Sequence, residues 1–128
     1  MWGRIICRLW NISGGGGIKF IIIQIIEDKI FEKLDYTVER FTKAEYESCE
    51  FIQCNLLQVD LSNAVFINCS FKNCDFTNAI FDQTNLEKVD LRTSYNYAVD
   101  ITKNQVKKSK HSTIGALGLL DSVDVVVE

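Results

Sequence analysis

Large apolar residues recur at every fifth position through the middle of the chain. A helix would place them about every 3.6 residues and a half-buried strand every second residue, so neither period fits. A fixed repeat of this kind indicates a solenoid, in which neighbouring repeats bury each other's inner faces. The series comprises Phe41, Tyr46, Phe51, Leu56, Leu61, Phe66, Phe71, Phe76, Phe81, Leu86 and Leu91.

A second column, two positions before each large residue after Phe41, holds small or β-branched side chains. In extended backbone, residues i−2 and i point to the same side, so each five-residue unit directs one small and one large side chain inward. The three other positions are mostly polar and are predicted to face solvent. Four units and four turns close a coil of about twenty residues, and successive coils stack about 4.8 Å apart. The small column comprises Ala44, Cys49, Cys54, Val59, Ala64, Cys69, Cys74, Ala79, Thr84 and Val89.

The segments CNLLQVDLSNAVF (54–66) and CDFTNAIFDQTNLEKVDL (74–91) resemble the pentapeptide-repeat family. That family has the approximate consensus A-(D/N)-L-X-X, which NAVF, NAIF and VDL match directly. The resemblance covers about residues 37–101. It implies an all-β fold, a right-handed quadrilateral β-helix of about three coils over residues 39–101. Residues 27–38 are predicted to form an N-terminal cap, and residues 102–128 a C-terminal cap or dimerisation element.

Four of the five cysteines lie in the small column. Cys49 and Cys69 are twenty residues apart and are predicted to stack on one wall, and Cys54 and Cys74 on another. Free cysteine packs as a small apolar residue, whereas zinc sites favour closer pairs on turns. A stacked pair also lies within the Cα range of a disulfide. We interpret these cysteines as core residues, with a metal site and disulfides as the alternatives.

Residues 1–26 fall outside the repeat. Arg4 and Arg8 precede the run FIIIQII (20–26), but four glycines intervene at 14–17 and EDK follows, which argues against a signal peptide. The run is too short to span a bilayer. We interpret the segment as an edge strand or a disordered arm. Five cysteines, an odd number, without a convincing secretion signal favour a cytoplasmic protein.

After Leu91 the pattern weakens. The register expects a large residue at position 96 but finds Asn96, so the coil is predicted to loosen there. The basic segment KNQVKKSK (103–110) is predicted to form a solvated turn or short helix, or a docking patch for an acidic partner. His111 has no partner pattern and is interpreted as incidental.

The last residues predict a helix and a strand. Ser112 or Thr113 is a candidate N-cap, and VDVVV (123–127) is typical of a strand. Solenoid ends need caps because they expose an open core. In family members that act on DNA gyrase, a C-terminal helix and strand dimerise two coils, and a monomeric cap is the alternative. The residues assigned to this cap or homodimer contact are Ile114, Leu117, Leu120, Val125 and Val127.

No arrangement of residues in the chain predicts catalysis. The single histidine excludes most general-base schemes, and GGGG lacks the flanks of a phosphate-binding loop. The net charge of −3 is too small to indicate direct nucleic-acid binding, and no membrane interaction is expected. We therefore predict a protein that is not an enzyme, with no cofactor and no metal.

The resemblance implies a protein-interaction module, because some family members mimic DNA and protect gyrase or topoisomerase IV from quinolones. Glu45, Glu47 and Glu87 fall on the most acidic of the four predicted walls, where Val65 and Ile67 also point outward. These five residues are the predicted partner-binding set. The alternative is a structural scaffold that binds an unrelated protein.

Overall fold

The computed structural model describes the backbone of residues 4–14, 17–39, 41 and 44–126, and the side chains of residues 24–39, 41 and 45–126. Most of the regular structure is β-strand, with one short helix. The strands are β1 (Arg4–Gly14), β2 (Gly17–Glu27), β3 (Ile30–Glu32), β4 (Ala44–Glu47), β5 (Glu50–Ile52), β6 (Val65–Ile67) and β7 (Ser70–Lys72). Helix α1 (Thr113–Leu120) follows, and a 3₁₀ turn covers Asp121–Val123.

Parallel pairing between residues twenty apart organises the chain from Ile30 to Lys110. Strand β4 pairs with β6 (Tyr46↔Phe66), and β3, β5 and β7 form a second parallel sheet. Isolated bridges continue the same register on other walls, as in Asn55↔Asp75 and Asp60↔Ile80. Four parallel ladders therefore follow one another along each twenty-residue stretch, and the described chain is a β-helix.

The core of the coil is formed by the two inward columns. Phe51, Phe66 and Phe71 are almost fully buried. The Phe51 and Phe71 rings stack with centroids 4.7 Å apart. Burial of each such side chain contributes about 1.5–3 kcal/mol. Tyr46 and Ala79 are only partly buried, and the side chain of Ala44 lies outside the described residues.

The residue before each large core residue sets the type of corner that follows. Where it is Asp or Asn, as at Asn55 and Asp75, its Oδ1 accepts a hydrogen bond from the N–H two residues later, at 3.0 Å in both cases. This local bond stabilises a tight turn. Where it is Glu, Val or Ser, the segment stays extended and belongs to β4, β5, β6 or β7. The D/N position of the repeat consequently shapes the corner.

Every corner from residue 46 to residue 88 places a non-glycine residue in the left-handed region. These residues are Ser48, Gln53, Gln58, Asn63, Asn68, Asn73, Asn78, Gln83 and Lys88, with φ between 50° and 61°. Left-handed backbone is disfavoured for L-residues and least so for asparagine, which occupies four of the nine positions. The strain recurs at each corner and is offset by the core and the ladders.

The coil extends beyond the predicted boundaries at both ends. Ile30↔Glu50 pairing places residues 27–38 inside the β-helix register, so this segment does more than cap the coil. Bridges Asn85↔Gln105 and Asp90↔Lys110 include KNQVKKSK (103–110), which is neither a short helix nor a free turn. The backbone ladder carries this segment although two of its inward residues, Asn104 and Ser109, are polar.

The N-terminal segment forms a long antiparallel hairpin. Strands β1 and β2 pair continuously from Arg4↔Glu27 to Gly14↔Gly17, and β2 pairs in parallel with β4. The sheet order is β1-β2-β4-β6, so β1 is an edge strand. The run FIIIQII (20–26) lies in β2, between β1 and β4, so it is in an interior strand of this sheet.

Candidate protein-interaction surface

The four cysteines of the small column are buried and free. Each thiol lies near the carbonyl of the large residue 23 positions earlier, as for Cys69 Sγ to Tyr46 O (3.4 Å) and Cys74 Sγ to Phe51 O (3.4 Å). The contact between the two thiols, together with burial, raises the pKa of Cys69 beside Cys49, and in the same way that of Cys74 beside Cys54. Cys69 and Cys74 are therefore poorly suited to disulfide and nucleophilic reactions, which need a thiolate.

The thiols satisfy carbonyls that the corners leave unbonded. Tight corners form a backbone bond between residues i and i+3, such as Ala79 N–H to Phe76 O at 3.0 Å. The extended corners after Tyr46 and Phe51 lack this bond. There the carbonyl accepts from a cysteine of the next coil, 23 residues later in the chain. Ser94 does the same for Phe71 O (2.7 Å). Cys69, Cys74 and Ser94 thus provide a hydrogen bond to the carbonyl at three extended corners.

The outer face of strands β4 and β6 brings the predicted partner-binding residues together. We call Glu45, Glu47, Val65, Ile67 and Glu87 the acidic wall. Tyr46, Phe66 and Leu86 point inward, so the residues flanking them point outward. The register sets Glu45 beside Val65 and Glu47 beside Ile67, and Glu87 follows twenty residues after Ile67. All five residues are half-buried.

The carboxylates of the acidic wall have no ion pair with any described residue. The next wall differs, because Lys72 pairs with Glu50 (3.2 Å) and Arg92 with Asp90 (2.8 Å). The pKa of Asp90 is lowered, mainly because its carboxylate accepts hydrogen bonds from the Arg92 guanidinium. The acidic wall therefore combines uncompensated negative charge with two aliphatic side chains, a combination that suits a partner with basic and apolar groups.

The C-terminal end carries an apolar surface on helix α1. The Ser112 hydroxyl caps the helix by accepting a bond from Gly115 N–H (3.0 Å), which confirms one of the two predicted caps. A Cβ at Gly115 would overlap the Tyr97 hydroxyl, so the glycine side of the helix lies against the coil. Leu119 packs on the core, whereas Ile114 (83% exposed) and Leu117 face solvent. The predicted apolar face is thus turned away from the coil.

The remaining predicted cap residues lie around this surface. Leu120 is half-buried and Val125 is exposed. The strand predicted at 123–127 is wrong for the described residues, because Val123 ends a 3₁₀ turn, Asp124 is left-handed and no strand follows to residue 126. β-branched residues favour strands only where a partner strand is present, and none lies alongside this segment. Val127 lies outside the described residues.

Tyr97 and His111 form a polar cluster that the sequence interpretation missed. Tyr97 is buried one position after Asn96, which is exposed and left-handed with φ 60°. Ser109 Oγ donates to Val106 O (2.7 Å), so it accepts from His111 Nε2–H (2.8 Å). His111 Nδ1 then accepts from the Tyr97 hydroxyl (3.0 Å). Burial lowers the pKa of His111, which is a structural residue rather than an incidental one.

The described residues provide no arrangement for metal or nucleophilic chemistry. No group of three His, Cys, Asp or Glu side chains among them has metal-binding geometry. A surface cleft of about 370 Å³ is lined by Phe71, Lys72, Asp90 and Arg92, and its carboxylate is held by the arginine. In the same part of the chain, helix α1 is far shorter than a membrane span requires, and no other helix qualifies.

The comparison with known protein families agrees with the repeat pattern. A family model described as "Pentapeptide repeat region" matches residues 27–118. Among solved structures, a trypsin-treated variant of QnrB1, a plasmid-mediated fluoroquinolone resistance protein, is similar at 14% identity and TM-score 0.34, covering 81% of this chain and 91% of that one. Full-length QnrB1 is similar at 12% identity and TM-score 0.36, covering 79% and 100%. The search of curated proteins matched nothing.

Proposed function

Because the chain belongs to the pentapeptide-repeat family, we propose that it is a non-enzymatic protein-interaction module that binds through the acidic wall. The observation that carries this proposal is the set of carboxylates of Glu45, Glu47 and Glu87 around Val65 and Ile67, none of which forms an ion pair with a described residue. Charged groups already bound to counter-ions contribute little to recognition, whereas unpaired ones steer and select a partner. The fold itself we propose to be the right-handed quadrilateral form, with about three coils between residues 39 and 101.

The partner we propose is DNA gyrase or topoisomerase IV in the cytoplasm, with protection from quinolones as the outcome. These enzymes bind duplex DNA, so their binding surface accepts a negatively charged rod. The acidic wall supplies negative charge along the coil axis, and its aliphatic pair supplies contact area. The exposed Ile114 and Leu117 of α1 support a homodimer contact at the C-terminus, which would double the length of the rod.

The test is a gyrase supercoiling assay into which the purified chain is titrated, with and without a fluoroquinolone. We expect the chain to restore supercoiling in the presence of the drug. The triple variant Glu45→Gln, Glu47→Gln, Glu87→Gln should lose most of this protection. Glu50→Gln is the matched control, because that carboxylate already pairs with Lys72 on the next wall.

A second candidate is a structural scaffold that binds an unrelated protein. It is favoured by the half-buried Val65 and Ile67, which a partner without basic groups would also cover. No restoration of supercoiling by the unaltered chain, at concentrations well above that of the enzyme, would reject the gyrase proposal. A pull-down that is lost with Val65→Asp but kept in the triple glutamine variant would then identify the scaffold function.

A further inference from the structure

Strand β1 presents a long, uninterrupted sheet edge. It runs for eleven residues, Arg4–Gly14, and its register with β2 contains no bulge. In the described part of the chain, no strand pairs with its other side. Proteins usually protect such an edge with proline, a bulge, a very short strand or charged side chains. Strand β1 has none of the first three, and its charged residues are Arg4 and Arg8 alone.

A hydrogen bond of the neighbouring ladder shows which backbone groups face the open side. Asp28 N–H donates to Glu47 O (3.1 Å), so even-numbered residues of β2 direct their backbone groups toward β4. Odd-numbered residues of β2 therefore bond to β1. Glu27 pairs with Arg4, and Ile25 pairs with Ile6. The even-numbered residues of β1 therefore form the backbone hydrogen bonds to β2. The backbone N–H and C=O groups of the odd-numbered residues of β1 therefore face the open edge. These residues are Ile5, Cys7, Leu9, Asn11 and Ser13.

We propose that two copies of this chain pair through β1 in antiparallel orientation, with the twofold axis at Leu9. In this register Leu9 lies opposite its own copy, Cys7 opposite Asn11, and Ile5 opposite Ser13. All five outward-facing residues then find partners, which gives about ten backbone hydrogen bonds. Only residues 24–27 of β2 also pair with β4, so the rest of the hairpin is a two-stranded ribbon. Such a ribbon is marginal alone, and pairing joins two of them into a four-stranded segment.

The charges select the same register. Centring the pair on Arg8 places Arg8 opposite its copy, and centring it on Ile6 places Arg4 opposite Arg8; like charges directly opposite are destabilising. Centring on Trp10 leaves Ile5 without a partner. The register at Leu9 sets Arg4 opposite Gly14 and Arg8 opposite Trp10. It is the one that avoids opposed arginines and uses every outward residue of β1.

The native Cys7 makes the register directly testable. In the proposed pair its Cα lies about 5.5 Å from that of position 11 of the other copy, within disulfide range. Within one chain the two positions are about 13 Å apart along the strand, too far to link. We expect Asn11→Cys to form a covalent dimer under mild oxidation, seen on a non-reducing gel.

Two controls accompany the cross-link. Ile12→Cys lies on the other face of the strand, opposite Ile6, and should not form the dimer. Asn11→Cys combined with Cys7→Ser should also give no covalent dimer on the gel, because the two cysteines at position 11 are not opposite each other. Equal cross-linking of Asn11→Cys and Ile12→Cys would overturn the register.

The mass of the full chain tests the pairing itself. We use an Ile114→Asp background, so that a C-terminal contact does not contribute. Each chain has a mass of 14.6 kDa, and light scattering should give twice this value for the background and for Leu9→Val. Leu9→Pro should halve the mass, because it removes an N–H at the open edge that the β1–β2 pairing does not use. A dimer that persists in Leu9→Pro, or a monomeric background, would reject the proposal, and neither result bears on gyrase protection.

Discussion

The coil between residues 45 and 91 and its continuation between residues 94 and 111 share one backbone register but have different interiors. The first part is filled by Phe and Leu with Cys, Val and Ala beside them. The second places Ser94, Asn104, Ser109 and His111 at the corresponding inward positions, next to Val99 and Val106. The twenty-residue ladder therefore continues where apolar periodicity fails, provided that each inward polar group finds a hydrogen-bond partner.

Asn104 shows how this is achieved. Its Oδ1 accepts from Thr84 N–H (2.9 Å), and its Nδ2 donates to Phe81 O (3.3 Å) and Asp100 O (2.8 Å). The bond to Phe81 O spans 23 residues, the same offset at which the cysteines reach their carbonyls. A polar side chain thus replaces a thiol in the same structural role. Among the described residues, no buried side-chain N or O atom lacks a partner.

The largest expected difference between the two parts concerns apolar packing. Phe66 is almost fully buried and stacks on Tyr46 at 5.2 Å, whereas Val106 occupies the same ladder forty residues later and is only partly buried. Phe66→Ala should lower the free energy of unfolding by about 3–5 kcal/mol, and Val106→Ala by about 1 kcal/mol. Urea denaturation of both variants measures this, and equal losses would contradict the division of the coil.

Asn104→Leu tests the polar interior. The change leaves Thr84 N–H and Phe81 O without partners, while Asp100 O keeps its bond from Lys103 N–H (3.1 Å). We expect a cost of about 2–4 kcal/mol in the free energy of unfolding. Gln105→Leu, at the exposed neighbouring position, should change stability by less than about 0.5 kcal/mol. If Asn104→Leu were as stable as the unaltered chain, apolar filling rather than hydrogen bonding would stabilise this part.

Cys74→Ala examines the equivalent bond in the apolar part. It removes the contact to Phe51 O together with a small buried volume, and the expected loss is about 1 kcal/mol. Cys74→Ser keeps a donor at the same place and should recover much of this loss. If the Cys74→Ser variant were markedly less stable than the Cys74→Ala variant, the thiol would contribute through packing alone.

The smallest expected effect is a pH dependence at His111. Burial lowers its pKa in the folded state, so the unfolded chain binds a proton first as pH falls below the ordinary value of 6.5. Stability should therefore be full at pH 7.5 and lower at pH 5.5. His111→Gln should flatten this slope in denaturation curves at both pH values, since the four aspartates with lowered pKa, Asp35, Asp75, Asp90 and Asp100, titrate below this range. If the His111→Gln variant kept the same pH dependence of stability, that dependence would come from other titratable groups.

The sequence was sufficient to predict the coil where each repeat buries one large residue, because a period of five fits no other regular structure. It failed at Asn96, which is exposed, because the next residue, Tyr97, is buried in its place. Asn104 and Ser109 gave no hydrophobic signal, and only their offset from Thr84 and Val89 marked them as inward. For the acidic wall, position along the repeat predicted which residues share a face. Side-chain positions were required to show that no described residue forms an ion pair with the carboxylates of that wall. They were also required to show which side of α1 is exposed.

The corner type is a signal that the sequence contained. Asp or Asn before the large residue precedes every hydrogen-bonded turn between residues 55 and 92, and Glu, Val, Ser or Ile precedes the extended or open corners. We interpreted these positions simply as outward polar residues. Their local hydrogen bonds explain why the consensus restricts this position while the two after the large residue vary.

The twenty-residue register also has a consequence for how such a chain changes length. Because each residue pairs only with those twenty positions before and after it, duplicating any twenty consecutive residues between 45 and 91 would insert one layer, about 4.8 Å thick, and leave every wall in order. Duplicating only five residues would turn everything downstream by one wall. Glu87 would then leave the face that bears Glu45 and Glu47, and α1 would emerge on a different side. Gene duplication can therefore alter the reach of this molecule in whole coils, while a partial copy reassigns which residues are displayed together.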